Sequence, residues 1–519
     1  MMIDPFCFKL SKSLLTLSFF VVSNNLFAEV PAITSFFPAS VQRGATVEIK
    51  LNGKPGTQPV KVWSETDQLN QFQFNEKGDS LTLTAQPDAR LGIHWIRYYN
   101  SEGASSQLPF YVGALNEITE KEPNNSTHEA ESIESLPVTI NGVLHKSGEV
   151  DTFAVVLKKG ELFTASVDAH EAFGSPMDSV LQILDEQGFV ILQNDDDHGI
   201  DPLLEFEVPH DGKFLVRVFC FPAAPNSTIN FAGGSEYIYR LTLTTDEFNT
   251  APELKEVEYK PDVPGLHHFF DVLSEHNFDL TNDNKSSTLP FTSIDVLEKR
   301  DQVQSVGLDV KKGESLRVQV FARKIASHLD PVLTVRNPDG SVHKEIDDPD
   351  RLKRDIDDVW TAPSDGKFTF EVSDRYQHAG NKYFSILAIS ENRPGLELTV
   401  ANDHFEAKRD ESLEIEVTVG RASGFKDQIK VQLKNPPPGV SFEEATSEEK
   451  SDSAKKVALK IDVKDAEAFQ GPIQIVGVHG EENIETVVTT KRKIREIKTT
   501  SIWLTIPEKP VAEEDKAVD

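Results

Sequence analysis

The stretch ITEKEPNN at residues 118–125 sets Glu120, Glu122 and Asn124 on alternate positions of a segment too polar to belong to a core. In an extended chain alternate side chains point one way, and Pro123 biases Glu122 against helix, so the three groups can converge. Oxygen donors in that pattern suit a hard cation, or simply the solvation of a linker, and the residues alone leave both open. A second acidic run, QNDDDHGID at 193–201, places Asn194, Asp196, His198, Gly199 and Glu205 on positions 1, 3, 5, 6 and 12 of an EF-hand-like calcium loop. Asn at the first position and His at the fifth weaken that match. Flanking helices are lacking and Glu205 lies in the strand-like LLEFEV, so an acidic hairpin loop is expected.

Covalent and acid–base catalysis find little to work with. The chain has no H-E-x-x-H, no G-x-S-x-G, no P-loop and no Cys–His pair. His267, His268 and His276 with Asp271 form the best histidine group, but adjacent histidines in a strand face opposite ways, so surface or packing roles are expected. Asp178 and Asp330 follow Ser175 and Ser327 at matching places, as Ser and Asp do in turns that bond local backbone. Cys7 falls in a leading apolar segment, and Cys220, within KFLVRVFCF, reads as a buried small hydrophobe. Sugar stacking would need exposed rings, for which Trp95, Tyr98, Tyr99, Trp360, Tyr376 and Trp503 are the candidates.

The elements that must position these groups are strands. Short alternating runs such as TVEIKLNG, FLVRVF, SLRVQVFA and LEIEVTV are separated by Gly, Pro, Asn and Asp, which predicts an all-β chain of tandem antiparallel β-sandwiches, jelly-roll or Ig-like. At 519 residues the chain exceeds one core. An internal repeat organises its middle: VDTFAVVLKKGELFTASVDA, FGSPMDSVLQILDEQG and VPHDGKFLVRV recur as VQSVGLDVKKGESLRVQVFA, IASHLDPVLTVRNPDG and APSDGKFTFEV. Gly160 matches Gly313, Asp178 matches Asp330 and Asp211 matches Asp365 at nearly constant offset, the mark of a duplicated domain. Residues 1–28, with Lys9 and Lys12 ahead of an apolar run and Ala28 before Glu29, have the layout of a secretory signal peptide. The expected order is then a β-sandwich at 29–113, the repeats at 116–247 and 290–395 with a connecting segment at 248–289, a sandwich at 396–508 and a disordered acidic tail at 509–519.

EKEPNN, ING, SGEVDTF, LKKGE, FGSPMDSVLQILDEQG, NDDD, VPHDGKFLVRV and YIYRLTL follow one another in the first repeat. Together they resemble the bacterial pre-peptidase C-terminal (PPC) domain, a β-sandwich appended to secreted peptidases and found in large secreted proteins. The second repeat resembles a degenerate copy, PASVQRGATVEIKLNG resembles the opening of IPT/TIG-type Ig-like modules, and GRASGFKDQIKVQL with PPPGV resembles an Ig-like unit. The resemblance implies calcium, held by the polar lead-in segment and by carboxylates before the first core strand, at Glu120, Glu122, Asn124, Asn125 and Asp151, with Glu149 also in reach. Gln304 stands where Asp151 would be in the second repeat, and no E-x-E-x-N-N precedes it, so no metal is expected there.

A formal charge of −31 disfavours nucleic acid or an anionic membrane as partner and suits hard cations. After residue 28 no apolar run approaches the roughly 18 to 20 residues that cross a bilayer. The expectation is a secreted, extracellular or periplasmic, non-enzymatic binding or scaffold protein that holds a protein or polysaccharide ligand. The alternatives are an accessory component of a secreted peptidase or other hydrolase, and a carbohydrate-binding protein.

Overall fold

The computed structural model describes residues 29–224, 230–245, 272, 288–347, 355–495 and 497–509. The predicted signal segment, most of the 248–289 connection with His267, His268, Asp271 and His276, and most of the acidic tail lie outside these. Among the described residues the regular structure is nearly all strand, with a four-residue α-helix at His170–Phe173, a helical position at Val272 and two 3-10 turns. Among the described residues no helix is long and apolar enough to cross a membrane.

Alternation in the sequence becomes alternation in burial. In Leu413–Ala422, the side chains of Ile415, Val417 and Val419 turn into a core while Glu416 and Thr418 between them face water. Paired sheets close over four such cores, spanning 32–113, 117–244, 291–391 and 395–506. In the first repeat one sheet runs Glu131–Ser132, Asp151–Leu157, Gly212–Pro222, Met177–Leu184, Val190–Asn194. The other runs Leu203–Glu207, Leu162–Asp168, Ile238–Thr244, Val138–Val143, Glu117–Thr119. The second repeat has the same order with two strands fewer. Its sheets run Gln304–Val310, Gly366–Asp374, Pro331–Arg336, Val342–Ile346 and Ile356–Thr361, Ser315–Phe321, Phe384–Glu391, Phe291–Val296. What the first repeat adds is its lead-in segment, one short strand on each sheet.

The modules also touch out of sequence order. Arg97 of the first sandwich, fully buried, meets Asp403 of the last at 2.7 Å. Trp503 receives Tyr99 and Trp63 at ring distances of 4.8 and 5.7 Å, and the Arg492 guanidinium lies 4.3 Å over Trp95. The two repeats meet where Lys382 and His328 approach Asp197 at 2.9 and 3.2 Å.

Candidate metal centre

The lead-in segment crosses one end of the first repeat from sheet to sheet. Glu117–Thr119 adds in parallel to Val138–Val143, and Glu131–Ser132 adds in parallel to Asp151–Leu157. Between them the backbone is pinned twice: Glu120 N–H donates to the Asn141 carbonyl at 3.0 Å, and Thr152 N–H donates to the Asn124 carbonyl at 2.9 Å. This crossing brings the acids of the segment against the start of the Asp151 strand.

Glu120 is the hub. Its Oε1 accepts the Val143 N–H at 2.6 Å, while Oε2 accepts the Tyr239 hydroxyl at 3.0 Å and Asn124 Nδ2 at 3.4 Å. The same Tyr239 hydroxyl stands 2.6 Å from Asp151 Oδ2. A phenol has one proton, so it serves only one of the two carboxylates at a time. Tyr239 reaches them because residue 142 is glycine: a Cβ there would fall 2.1 Å from the tyrosine ring.

The pocket is short of positive charge. Asp151 is fully buried and its Oδ1 has no hydrogen-bond partner; Asn124 is fully buried and its Oδ1 has none either. Burial, then the nearby Glu120 charge, pushes the Asp151 carboxyl far above the carboxylate range, and burial raises Glu120 as well. Glu122 stays exposed, its Oε2 accepting the Asn124 N–H and the Asn125 side-chain amide, both at 3.1 Å. Asn125 therefore braces Glu122 from outside. Glu149 is buried, but its Oε2 accepts the Lys146 N–H of its own turn at 3.1 Å.

The structure thus gathers Glu120, Glu122, Asn124 and Asp151, and leaves Asn125 and Glu149 at the periphery. It adds two residues that sequence reasoning missed. Tyr239 lies inside the quoted run YIYRLTL, and Gly142 of the ING motif was its visible sign. His145 is the other, on the rim, with a ring nitrogen and carboxylate oxygens of Glu120 and Glu122 all within 4.8 Å of one another. Four oxygen-bearing side chains, two of them with orphaned buried oxygens, fit a hard cation completed by carbonyls or water.

The second repeat fills the same place without charge. Gln304 donates from Nε2 to Ser293 Oγ at 2.8 Å and accepts the Ser385 hydroxyl at 2.7 Å, Ser385 standing where Tyr239 does in the first copy.

The acidic run at 193–201 divides. Asp195 and Asp196 are exposed, whereas His198 and Asp201 are buried. His198 lies between Asp168 at 3.7 Å and Asp197 at 3.8 Å, and Arg240 continues the chain of charges from Asp168 at 3.4 Å to Glu117 at 3.3 Å. Burial works to discharge His198, but the facing carboxylates outweigh it and carry its pKa up to about 10. Asp201 accepts the N–H groups of Ala169, His170 and Glu171 at 2.8, 2.9 and 3.0 Å, holding the start of the short helix. This is structural bonding around a hairpin loop.

The remaining candidates are built into the fold. Ser175 donates to the Glu236 carbonyl at 3.2 Å, and Ser327 donates to the matching Lys382 carbonyl at 3.1 Å. Cys220 is buried, its thiol pushed up to about 12 by burial. Trp95, Tyr98, Trp360 and Trp503 are buried, and Tyr376 is the ring of that group that stands in solvent.

Fold and site define a tandem β-sandwich protein with an oxygen-lined, anion-rich candidate cation site at the head of its first repeat. No protein-family profile matches the chain. Over 105 residues, 20% of this chain, it is 33% identical to a probable subtilase-type serine protease of Deinococcus radiodurans, and the match takes in 14% of that protein's length. Among solved structures it is similar to a protein of the Bacteroides ovatus mixed-linkage glucan utilization locus in complex with a mixed-linkage heptasaccharide, at 9% identity and a TM-score of 0.14, covering 68% of this chain and 72% of that one. An M60 catalytic domain with two CBM51 domains from Clostridium perfringens gives 9% identity and a TM-score of 0.14, with 70% and 55% covered. Scores that low carry no argument.

Proposed function

We propose that this chain is a secreted, non-enzymatic binding and scaffold protein whose first repeat is a PPC-type sandwich with a calcium site at its lead-in segment. The observation that carries the calcium reading is the pair of orphaned buried oxygens, Asn124 Oδ1 and Asp151 Oδ1, beside a second buried carboxylate. A buried carboxylate without a counter-charge is costly, and groups of this kind are paired or bind metal. Glu120, Glu122, Asn124 and Asp151 would be the protein ligands; calcium would supply the positive charge that the pocket lacks. Tyr239 stands between the two buried carboxylates and bonds one of them at a time, and the backbone bonds from Glu120 and Thr152 fix the segment that carries the rest. Such a site locks the linker onto its sandwich and so sets how the first module meets the repeat. The acidic field of the whole chain supports hard-cation binding and opposes nucleic acid as a partner.

The test is isothermal titration of the chain with calcium chloride. One site, lost in Asp151→Asn, is the expected result; no heat and no difference between the two proteins would remove the calcium reading.

The partial likeness to a probable subtilase-type serine protease favours one second reading, an accessory module of a peptidase. Peptide hydrolysis measured with and without added chain separates the two: turnover by the chain alone would overturn the non-enzymatic reading, and stimulation of an added peptidase would support the accessory role.

A further inference from the structure

We propose that the edge strand Val190–Asn194 of the first repeat is a strand-addition site for an extended peptide of a partner protein, apolar at alternate positions and basic at both ends. The proposal rests on the reading of the chain as a binding protein and is independent of the calcium site. The strand is outermost in its sheet, and among the described residues it pairs with Met177–Leu184 alone. In an antiparallel ladder alternate residues bond the neighbour, so the other backbone N–H and C=O groups point away from the sheet. Phe189, Val190 and Ile191 beside them are 72%, 50% and 40% exposed. Scattered exposed apolar residues are ordinary, but a run of them along an unpaired edge is a template for another strand.

The duplication provides an internal control. Ile183 faces Leu192 and Leu181 faces Asn194 in the first copy; Val335 faces Lys344 and Leu333 faces Ile346 in the second, and both ladders carry a bulge at the same step. These registers set Phe189, Val190, Ile191, Leu192 and Gln193 on Ser341, Val342, His343, Lys344 and Glu345. The second copy therefore carries on its edge the charged residues that native sheets use to block pairing. The first copy has no charged residue from Gln187 to Asn194. Two sandwiches of one topology thus differ in whether that edge is defended.

The ends of the strand choose the occupant. Asp185 and Glu186 lie at the hairpin end, and Asp195 and Asp196 stand exposed at the other. An added strand of five residues spans about 17 Å, so lysine or arginine just beyond each end of it would meet these carboxylates. A second copy of this chain, paired antiparallel through the same edge, would instead set Asp185 and Glu186 against Asp195 and Asp196, under a net charge of −31 on each molecule. Charge complementarity favours the basic peptide.

The experiment uses the whole chain and a fluorescein-labelled peptide of about nine residues, alternating threonine and valine with two lysines at each end, followed by fluorescence anisotropy. Saturable binding is expected, weakened by about tenfold or more in Ile191→Lys and for a peptide N-methylated at alternate amides. Ile191→Lys is exposed and should keep the wild-type melting curve and its calcium response, which separates failure of this proposal from failure of the metal site. No saturable binding up to about 1 mM, or equal affinity for Ile191→Lys or for the N-methylated peptide, would overturn it. A concentration-dependent dimer in sedimentation velocity that Ile191→Lys dissolves would give the edge to a second copy and also overturn it.

Discussion

Replacing Asp151 by asparagine should make the metal-free protein more stable and the calcium-loaded protein less responsive. The structure sets the sign. Glu120 and Asp151 are both raised above their ordinary values by burial, and Asp151 further by Glu120. A carboxyl raised in the fold binds a proton that the unfolded chain gives up near pH 4, so the metal-free fold loses stability as pH climbs from that range towards neutrality. Asparagine keeps an acceptor for Tyr239 and removes the ionisable carboxyl that the metal-free fold must hold protonated, as Gln304 already does in the second repeat. Relief of an uncompensated buried group is worth about 1 to 3 kcal/mol. At roughly 3 to 5 °C per kcal/mol for a sandwich of this size, the melting transition of the first repeat should rise by about 3 to 15 °C in chelator. Calcium at a hundredfold excess over its dissociation constant adds about 2.7 kcal/mol to wild type, a rise of similar size that Asp151→Asn should lack. Protons compete for the same oxygens, and because burial holds the metal-free carboxyls protonated well above the ordinary carboxylate range, the wild-type calcium response should already shrink as pH falls through neutrality. Differential scanning calorimetry of both proteins, in calcium and in chelator, measures all four states. Equal calcium responses would refute the assignment of Asp151, and a mutant less stable than wild type in chelator would refute the claim that its carboxyl is uncompensated in the metal-free fold.

Three further outcomes follow from groups outside the metal centre. Arg97→Met leaves Asp403 buried without its guanidinium, which should cost about 3 to 5 kcal/mol and uncouple the first and last modules in calorimetry, with partial recovery in Arg97→Met/Asp403→Leu. An unchanged transition would show that the contact does not hold the modules together. Cys220, with its thiol up to about 12, should ignore an aromatic disulfide reagent at pH 8 in the native chain and react on denaturation; prompt native labelling would contradict its burial. His198, raised from 6.5 to about 10, contributes stability that is complete below pH 6.5 and lost as pH rises through 10, so His198→Gln should flatten the alkaline limb of the stability profile. A limb as steep in the variant would place that titration elsewhere.

What the sequence made legible divides along the range of the interactions involved. Strands and the duplication are written locally, as alternation and as turn residues at fixed offset, and the two repeats indeed share one strand order. The lead-in segment was legible for a related reason: Glu120, Glu122 and Asn124 are too polar for a core, yet Glu120 and Asn124 end up buried, and that contradiction is the mark of the site. Its other half was not legible, because Tyr239 joins Glu120 from 119 residues away across the sheet and looks like any strand tyrosine in its own neighbourhood. His198 was read by its spacing among exposed acids, whereas its role comes from Asp168, on a strand that loop position cannot foresee. The rings weighed as sugar platforms show the same limit at the scale of modules. Trp95 and Trp503 look available in their own strands but are covered by the contact of the first sandwich with the last. Arg97, a charge set inside the aromatic and aliphatic run WIRYY, was the sequence's sign that this face is occupied: a guanidinium there needs a carboxylate, and Asp403 provides one 306 positions away. A charged residue inside a strand buried on both faces, on the face opposite its module's own core, thus points to a module interface.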